Sequence, residues 1–538
     1  MGLSCRSLVF GSKWPSYRPA LRTGTRESLA VNKLVVRKRS LLSGTAWNLL
    51  GLVVPLFVAV LAIPWLMTLL GLERFGFLAL VWAVVGYASV LDLGIGKTLI
   101  RLVSRQLADG DRLGAMNLAT TAVQLLVMVG IALGLLLLPV AELAFSHAQG
   151  ALALPRDEAR GALWLVAALM PQVLLTTAQV SVMSAWQDFK VLNLLRAVLS
   201  TLTYLAPLGL ALLGVSDLRW IVGSLLLVRM AGVIAFSVLC WRRYRWFPRP
   251  GRWSRPMVAS LLSVGRWMFI ANLAGPLMTY LDRFIVGLQL PLRDVAIYAA
   301  PSEIPNRLLM VPYALLATLF PRVATLDRDR AALQQVLGQS VRWLCGLATP
   351  IVLIGVAFAV PGMSAWLGAV NGPQAAMVLQ VLLAGLWLTA ISMGPITVVQ
   401  AAGDLRHLAL FYIAQLPMLL GLLWVMTDHL GILGAALAVA TRQLIDTAGM
   451  LWLAVRQVGR PPGRWAHFAL GLLGSAGLLT LAAGARTWLE GFGVAAIGLA
   501  AWAAIAWWLW IDVDERKLIR GWTNRLSRES GSPPPAAS

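Results

Sequence analysis

The chain has little with which to do covalent or metal chemistry. Its 538 residues include 3 cysteines and 4 histidines. Cys5, Cys240 and Cys345 are far apart and form no CxxC or Cys/His cluster, so neither a disulfide framework nor a zinc-type site is implied. His147, His407, His429 and His467 stand singly near expected loops or helix ends, where histidine is ordinarily just solvated. No metal and no cofactor is expected. Charge is scarce too, at 13% of residues, against about 25% in an average soluble protein.

What the chain has instead is apolar surface. Hydrophobic residues make up 59% of it, and the mean hydropathy is +0.76. No water-soluble fold of this length hides that much, so lipid must solvate a large part. Length and composition predict one large membrane domain, with no room for a separate soluble enzyme domain. The net charge of +22 would point to nucleic acid in a soluble protein. Its distribution argues for something else, and no nucleic acid partner is expected.

A helix needs about 20 apolar residues to cross the hydrocarbon core. Fourteen runs meet that need, near 44–70, 76–96, 115–140, 161–183, 191–214, 219–240, 263–290, 294–320, 340–360, 374–399, 407–427, 431–455, 466–486 and 490–511. Short loops rich in Lys and Arg stay cytoplasmic. Alternate connections and the two termini hold 33 Lys and Arg, whereas the others hold only Arg74, Arg156, Arg160, Arg219, Arg293 and Arg486. Both ends are therefore expected in the cytoplasm, and the positive excess reads as a topology signal plus contact with anionic headgroups. The basic segment 1–43 lacks an apolar core ahead of a cleavage site, so a cleaved signal peptide is not expected. That segment and the tail 512–538, with Pro533-Pro534-Pro535, are expected to be disordered.

Repeats fix architecture. The gap from Gly44 to Pro55 equals that from Gly265 to Pro276. Leu72-Glu73-Arg74-Phe75-Gly76 faces Leu292-Arg293-Asp294-Val295-Ala296 at an offset of 220, and Asp111-Arg112 faces Asp329-Arg330 at 218. The offset spans six helices, an even number, so the copies share one orientation. The expected architecture is an all-α integral membrane protein of about fourteen transmembrane helices. Its two pseudo-symmetric six-helix halves cover 44–242 and 263–456, joined by a linker at 243–262, with two extra helices over 466–511. Transporters built this way bind substrate between halves that rock.

A charge at bilayer depth costs roughly 2.5–3.5 kcal/mol and needs a partner, water or a function. The candidates are Asp92, Arg229, Asp282, Arg283, Glu303, Arg307, Arg442 and Asp446. Glu303 with Arg307, and Arg442 with Asp446, are spaced i,i+4 and can neutralise each other. Asp282 and Arg283 point about 100° apart, so one is expected to meet another helix and the other a wet cavity. Arg229 has no local acid; it either binds an anion or snorkels to the cytoplasmic interface. Asp92, before Gly94-Ile95-Gly96-Lys97, is expected to close a helix end ahead of any role in proton coupling. Lys97, Arg101 and Arg105 recur at i,i+4 among apolar residues, which predicts a short amphipathic helix along the interface.

Gly71-Leu72-Glu73-Arg74-Phe75-Gly76 followed by Leu91-Asp92-Leu93-Gly94 resembles the first hairpin of bacterial polysaccharide-export flippases. Tyr280-Leu281-Asp282-Arg283-Phe284-Ile285-Val286-Gly287 resembles their span 7, and Tyr298 through Glu303 to Pro312 and Leu319-Phe320-Pro321-Arg322 their span 8. On these motifs the chain is identified as a member of the multidrug/oligosaccharidyl-lipid/polysaccharide exporter superfamily. The resemblance implies a flippase that moves undecaprenyl-pyrophosphate-linked oligosaccharide between leaflets, with polysaccharide polymerase and export machinery as partners. It implies Arg283 first, then Arg229, Arg307 and Arg442, as binders of the anionic head, because guanidinium forks suit phosphate. Asp92, Asp282, Glu303 and Asp446 are the candidates for coupling or gating. Multidrug export of organic cations and flipping of the peptidoglycan precursor (lipid II) are the nearest alternatives. A membrane polymerase or ligase would be expected to carry a large catalytic loop, and the longest outer connection, 141–160, is short.

Overall fold

The computed structural model describes residues 41–88, 91–92, 94–147, 154–246, 257–259, 261, 278, 280–313, 315–316, 329–402, 405–459 and 465–510. Among them there is no strand. The protein is an all-helical, multi-pass membrane protein. The first half contains α1 (Leu41–Leu70), α2 (Leu72–Ala88), α3 (Ile95–Ala108), α4 (Arg112–His147), α5 (Arg156–Ala185), α6 (Phe189–Leu212) and α7 (Leu218–Tyr244). The second contains α8 (280–289), α9 (Leu292–Leu308), α10 (Arg330–Ala357), α11 (Ala359–Ala402) and α12 (Leu405–Val458). Two further helices follow, α13 (Trp465–Ala482) and α14 (Trp488–Ile505). Several expected features lie outside the described residues: segment 1–40, the second copy of the Gly-to-Pro repeat, most of the linker, Phe320-Pro321-Arg322 and the tail.

Eight of the described helices are long and apolar enough to cross a membrane. Most start or end a few residues beyond the hydropathic runs, because a helix continues past the hydrocarbon into the polar interface where hydropathy no longer marks it. The 54 residues of α12 would stretch about 81 Å at 1.5 Å per residue, far more than the roughly 30 Å hydrocarbon core. The helix instead breaks at Gly431, whose φ of 61° and ψ of −141° suit glycine alone. Gly434 then packs against the Met426 carbonyl as the chain folds back. α11 breaks the same way at Gly368 (φ 83°). These breaks fall where the ninth hydropathic run gives way to the tenth and the eleventh to the twelfth.

The repeat reappears as helix starts. α2 and α9 begin at Leu72 and Leu292, and each is 17 residues long. α4 and α10 begin at Arg112 and Arg330, one residue after an aspartate that caps backbone N–H: Asp111 accepts from Gly114 and Asp329 from Ala331. α3 is the expected amphipathic helix. Ile95, Leu99 and Val103 are buried on one face, while Lys97, Arg101 and Arg105 are exposed on the other.

The two halves meet chiefly through α2 and α9. Gly76 lies against the Leu292 carbonyl so closely that any Cβ would collide with it. Around this contact runs one apolar core drawn from both halves, including Leu66, Phe75, Leu78, Val286, Val295 and Ala296. On the same side Trp366 of α11 donates its indole N–H to the Val60 carbonyl of α1 at 2.6 Å. Glu158 of α5 accepts from both Arg74 (2.8 Å) and the Leu218 N–H (2.8 Å), tying the starts of α2, α5 and α7. All of this lies at the end with few basic residues. A second core fills the first half at the basic end (Leu99, Leu126, Phe236) and a third fills the second half around Leu337, Val352 and Leu383.

Candidate functional site

Three groups of polar side chains lie within the helical body, one in each half and one at the seam. At the seam, Arg283 of α8 is almost fully buried, with a relative exposure of 3%. It donates through Nη2 to Glu303 Oε1 of α9 at 2.9 Å. Arg307, one turn further along α9, approaches the other Glu303 oxygen at 3.7 Å and donates to the Tyr204 hydroxyl of α6 at 3.4 Å. The expected Glu303–Arg307 pair therefore exists, but the closer partner of Glu303 is Arg283. Tyr204 belongs to the first half and stacks edge-on against Trp82 at 5.0 Å, so this chain of contacts joins the halves. Two arginines share one carboxylate, and the Asp282 carboxylate, which accepts from the Arg283 backbone N–H, adds a second negative charge close by. The Nε–H of Arg283 keeps no acceptor among the described residues.

The second half encloses a cavity of about 460 Å³ lined by Asp282, Asn306, Tyr412, Arg442, Gln443 and Asp446, with apolar residues between. Asp282 accepts from the Tyr298 hydroxyl at 2.6 Å and from the Arg283 backbone N–H at 2.8 Å. Adjacent side chains on α8 thus both reach α9, Asp282 through Tyr298 and Arg283 through Glu303, and Asp282 also borders the cavity. Arg442 does not pair directly with Asp446. Gln415 stands between them, accepting from Arg442 at 3.3 Å and donating to Asp446 at 2.9 Å. One arginine here faces two carboxylates, and each charge has a polar partner.

The first half encloses a cavity of about 440 Å³ of different chemistry. Lys97 of α3, Arg196 of α6 and Arg229 of α7 line it, with Asp92 as the acid. Asp92 is committed elsewhere: its two carboxylate oxygens accept from the Gly94 and Gly96 N–H groups, each at 2.9 Å, and close the start of α3 as its position predicts. Arg196 and Arg229 have no hydrogen-bonding or ionic partner among the described residues. One wall is a hydroxyl stripe on α5, Thr176, Thr177, Ser181 and Ser184, each donating to the carbonyl four residues back at 2.8–3.0 Å. Their protons are used up, so they present lone pairs to the cavity.

Arg229 stands near the middle of α7 and borders the cavity. α7 runs on to Tyr244, which leaves Arg229 fifteen residues, or roughly 22 Å, from the basic end. Arg196 is absent from the charges that the apolar runs draw attention to. It follows α6's start at Phe189 by seven residues and so reads as interfacial; only the facing of α6 and α7 brings it to the same cavity as Arg229. Tyr204, Tyr298 and Gln415 are equally silent in sequence, since a lone tyrosine or glutamine in an apolar run carries no spacing signal. Among the described residues no cluster of His, Cys, Asp and Glu could hold a metal ion.

Known proteins share this architecture. A transporter of the multidrug resistance MATE family, in an inward-facing conformation, superposes with a TM-score of 0.64 at 16% identity, over 76% of this chain and 98% of its own. The lipid II flippase MurJ, in an inward closed conformation, does so with a TM-score of 0.66 at 13% identity, over 89% of this chain and 100% of its own. In sequence the chain is 26% identical over 428 residues to a Shigella flexneri protein named "Putative O-antigen transporter", covering 78% of this chain and 98% of that one. The model of the family described as "Polysaccharide biosynthesis protein" matches residues 41–326, more than half of the chain, with the hydroxyl-lined cavity and the seam inside that span, and the chain belongs to this family.

Proposed function

We propose that the protein is a flippase, carrying an undecaprenyl-pyrophosphate-linked oligosaccharide from the cytoplasmic to the outer leaflet for cell-surface or exopolysaccharide assembly. The observation that carries this reading is a polar, arginine-bearing cavity inside each helical half of a protein that belongs to a polysaccharide biosynthesis family. A sugar chain and its diphosphate need a path with hydrogen-bonding walls and positive charge, whereas a polyprenyl tail is already at home in lipid. Exposed apolar side chains such as Phe57, Leu135, Trp164 and Leu227 leave the tail an apolar surface to follow.

In this proposal the halves 44–242 and 263–456 rock about the α2–α9 contact, and 466–511 adds two peripheral helices. The basic connections face the cytoplasm, both termini lie there, and the membrane is the bacterial inner membrane. With the shared core closing the outer end, both cavities stand on the cytoplasmic side of it, as substrate entry requires. The diphosphate is drawn to Arg283 and Arg307 at the seam, to Arg229 in the first half and to Arg442 in the second. Asp282, Glu303 and Asp446 couple the cycle to an ion gradient or gate it. Asp92 contributes by holding the start of α3. Polymerase and export machinery would take the product on the outer side.

The test is the pool of lipid-linked sugars in a strain lacking the protein. An undecaprenyl-pyrophosphate oligosaccharide should accumulate on the cytoplasmic face, and an Arg283→Ala copy should fail to clear it. Accumulation of lipid II instead would assign the cargo to cell-wall synthesis. Unchanged lipids with raised sensitivity to cationic dyes would replace flipping with drug export.

A further inference from the structure

A proline inside a membrane helix leaves a carbonyl behind it. A helix bonds each carbonyl to the N–H four residues on, and proline has no N–H to give. Pro64 of α1 therefore releases the carbonyl of Val60 from its helical partner. Val60 lies ten residues, or roughly 15 Å, short of the end of α1 at Leu70. Phe57, Leu61 and Trp65 around it are exposed apolar side chains, so lipid meets that face of α1, and lipid offers a carbonyl no donor. The donor comes from the other half. Trp366 gives its indole N–H to this carbonyl at 2.6 Å. The repeat puts Phe284 at the matching point of α8, so the proline-released carbonyl is not copied there.

The second half is shaped to deliver that tryptophan. α11 opens with an arm, Ala359 to Leu367, which Gly368 turns at a φ of 83°. Beyond the turn Gly372 lies back against Ser364, so close that any Cβ would collide with the Ser364 backbone. A side chain at 372 would push the arm away, and glycine lets it fold down. Trp366 and Leu367 at its tip pack against both the shared core and the core of the second half. An indole N–H only donates, so a half-buried tryptophan needs an acceptor. The contact borders the same apolar core as the α2–α9 approach, and like that approach it crosses the seam at the end with few basic residues.

We propose that the Trp366 indole and the Val60 carbonyl form a latch that holds the two halves closed at this end, with Pro64 as the residue that arms it. The latch rests on the rocking of the halves proposed above, and not on the cargo. Parting the halves at this end pulls Trp366 from α1 and strands a carbonyl that its own helix cannot satisfy. That cost biases the resting protein toward the arrangement open on the basic side. Trp366 and Pro64 are positioning residues, and neither needs to touch cargo.

Two substitutions remove the bond from opposite sides. Trp366→Phe keeps an aromatic ring but loses the donor, and Pro64→Ala gives the Val60 carbonyl a helical N–H of its own. Spin labels on the full-length protein in lipid nanodiscs, at Leu213→Cys after α6 and Leu430→Cys before the break in α12, read the separation of the halves. Both positions are exposed, Cys240 and Cys345 are buried, and Cys5→Ser removes the third thiol. Each substitution should raise the ratio of long to short distances about five- to thirtyfold, the worth of a hydrogen bond whose acceptor is otherwise stranded. The double variant should do no more than either single one, because no bond is left for the second change to remove. A ratio unmoved by both substitutions, or a double variant in which their effects add, overturns the latch. If Trp366→Phe does not purify, Pro64→Ala decides: a longer distance supports the latch, and an unchanged or shorter one overturns it. The pool of lipid-linked glycan in a deletion strain judges the cargo separately. No accumulation there, with distances shifting as expected, removes the flippase reading and leaves the latch. Accumulation that the parent protein clears, with distances unmoved by either substitution, does the reverse.

Discussion

In the first-half cavity Arg196 and Arg229 face a wall of hydroxyl oxygens, and the nearby acid, Asp92, spends both oxygens on backbone N–H groups. In the second-half cavity Arg442 is held by Gln415, Gln415 by Asp446, and Asp282 by Tyr298. The repeat gave both halves the same helix starts and the same kind of central hole, yet the first holds two arginines with no carboxylate paired to them, whereas the second links its arginine to a carboxylate through Gln415 and leaves Arg442 Nε and Gln443 Oε1 unpartnered among the described residues. A paired buried charge accounts for itself structurally. An unpaired arginine at bilayer depth, as Arg229 is by its place along α7, costs free energy that no side chain there offsets. The departure from internal symmetry thus separates a half whose arginines stand apart from any carboxylate from a half whose charges are linked through a glutamine.

The seam offers the severest test of that contrast, because there pairing and bridging coincide. Glu303→Gln leaves Arg283 buried beside Arg307 with no carboxylate between them. Breaking a buried pair from one side costs about 3–5 kcal/mol, so a large fall in the thermal unfolding midpoint of the purified protein is expected, together with loss of transport. A variant that unfolds like the parent would show that water already satisfies Arg283.

Next come opposite signs in the two halves. Arg442→Leu strands Asp446 and Gln415 and should destabilise by about 2–3 kcal/mol. Arg229→Leu removes an unpaired charge and should stabilise by up to roughly 3 kcal/mol, while abolishing transport. Two midpoints moving in the same direction would erase the distinction between the cavities.

These contrasts were only partly legible beforehand. Hydropathy and loop charge find nearly every described helix, because a bilayer demands long apolar runs whatever they pack against. The repeat was visible at helix starts, where capping aspartates and a tight α2–α9 approach constrain residue type. Intramembrane charges announce themselves by rarity, which is how Arg283, Glu303 and Arg442 stood out. Their partners did not: Glu303 is twenty residues from Arg283, Gln415 twenty-seven from Arg442, and only packing brings them together. Arg196 was hidden for the opposite reason, since near the end of an apolar run a charge costs little and draws no notice.

A smaller comparison concerns the hairpins between the fifth and sixth expected spans of each half. In the second half the turn is made by Gly431 with its positive φ, and Gly431→Ala should cost about 1–3 kcal/mol at any pH. In the first half the turn is closed by Asp217, which caps α7 by accepting from the Arg219 N–H at 2.8 Å and pairs with the Arg219 side chain. Asp217→Ala should cost about 1 kcal/mol. The Arg219 guanidinium, hydrogen-bonded to the Asp217 carboxylate, holds its pKa below the usual aspartate value. A depressed carboxyl stabilises the fold above its unfolded pKa, near 4, and that contribution fades as pH falls through the lower folded value. The difference in unfolding midpoint between parent and Asp217→Ala should therefore hold constant from neutral pH down to about pH 4 and shrink below it. The Gly431→Ala difference should show no such step, because a strained backbone does not titrate. If both differences shrink together in acid, the cap is not what the proton removes.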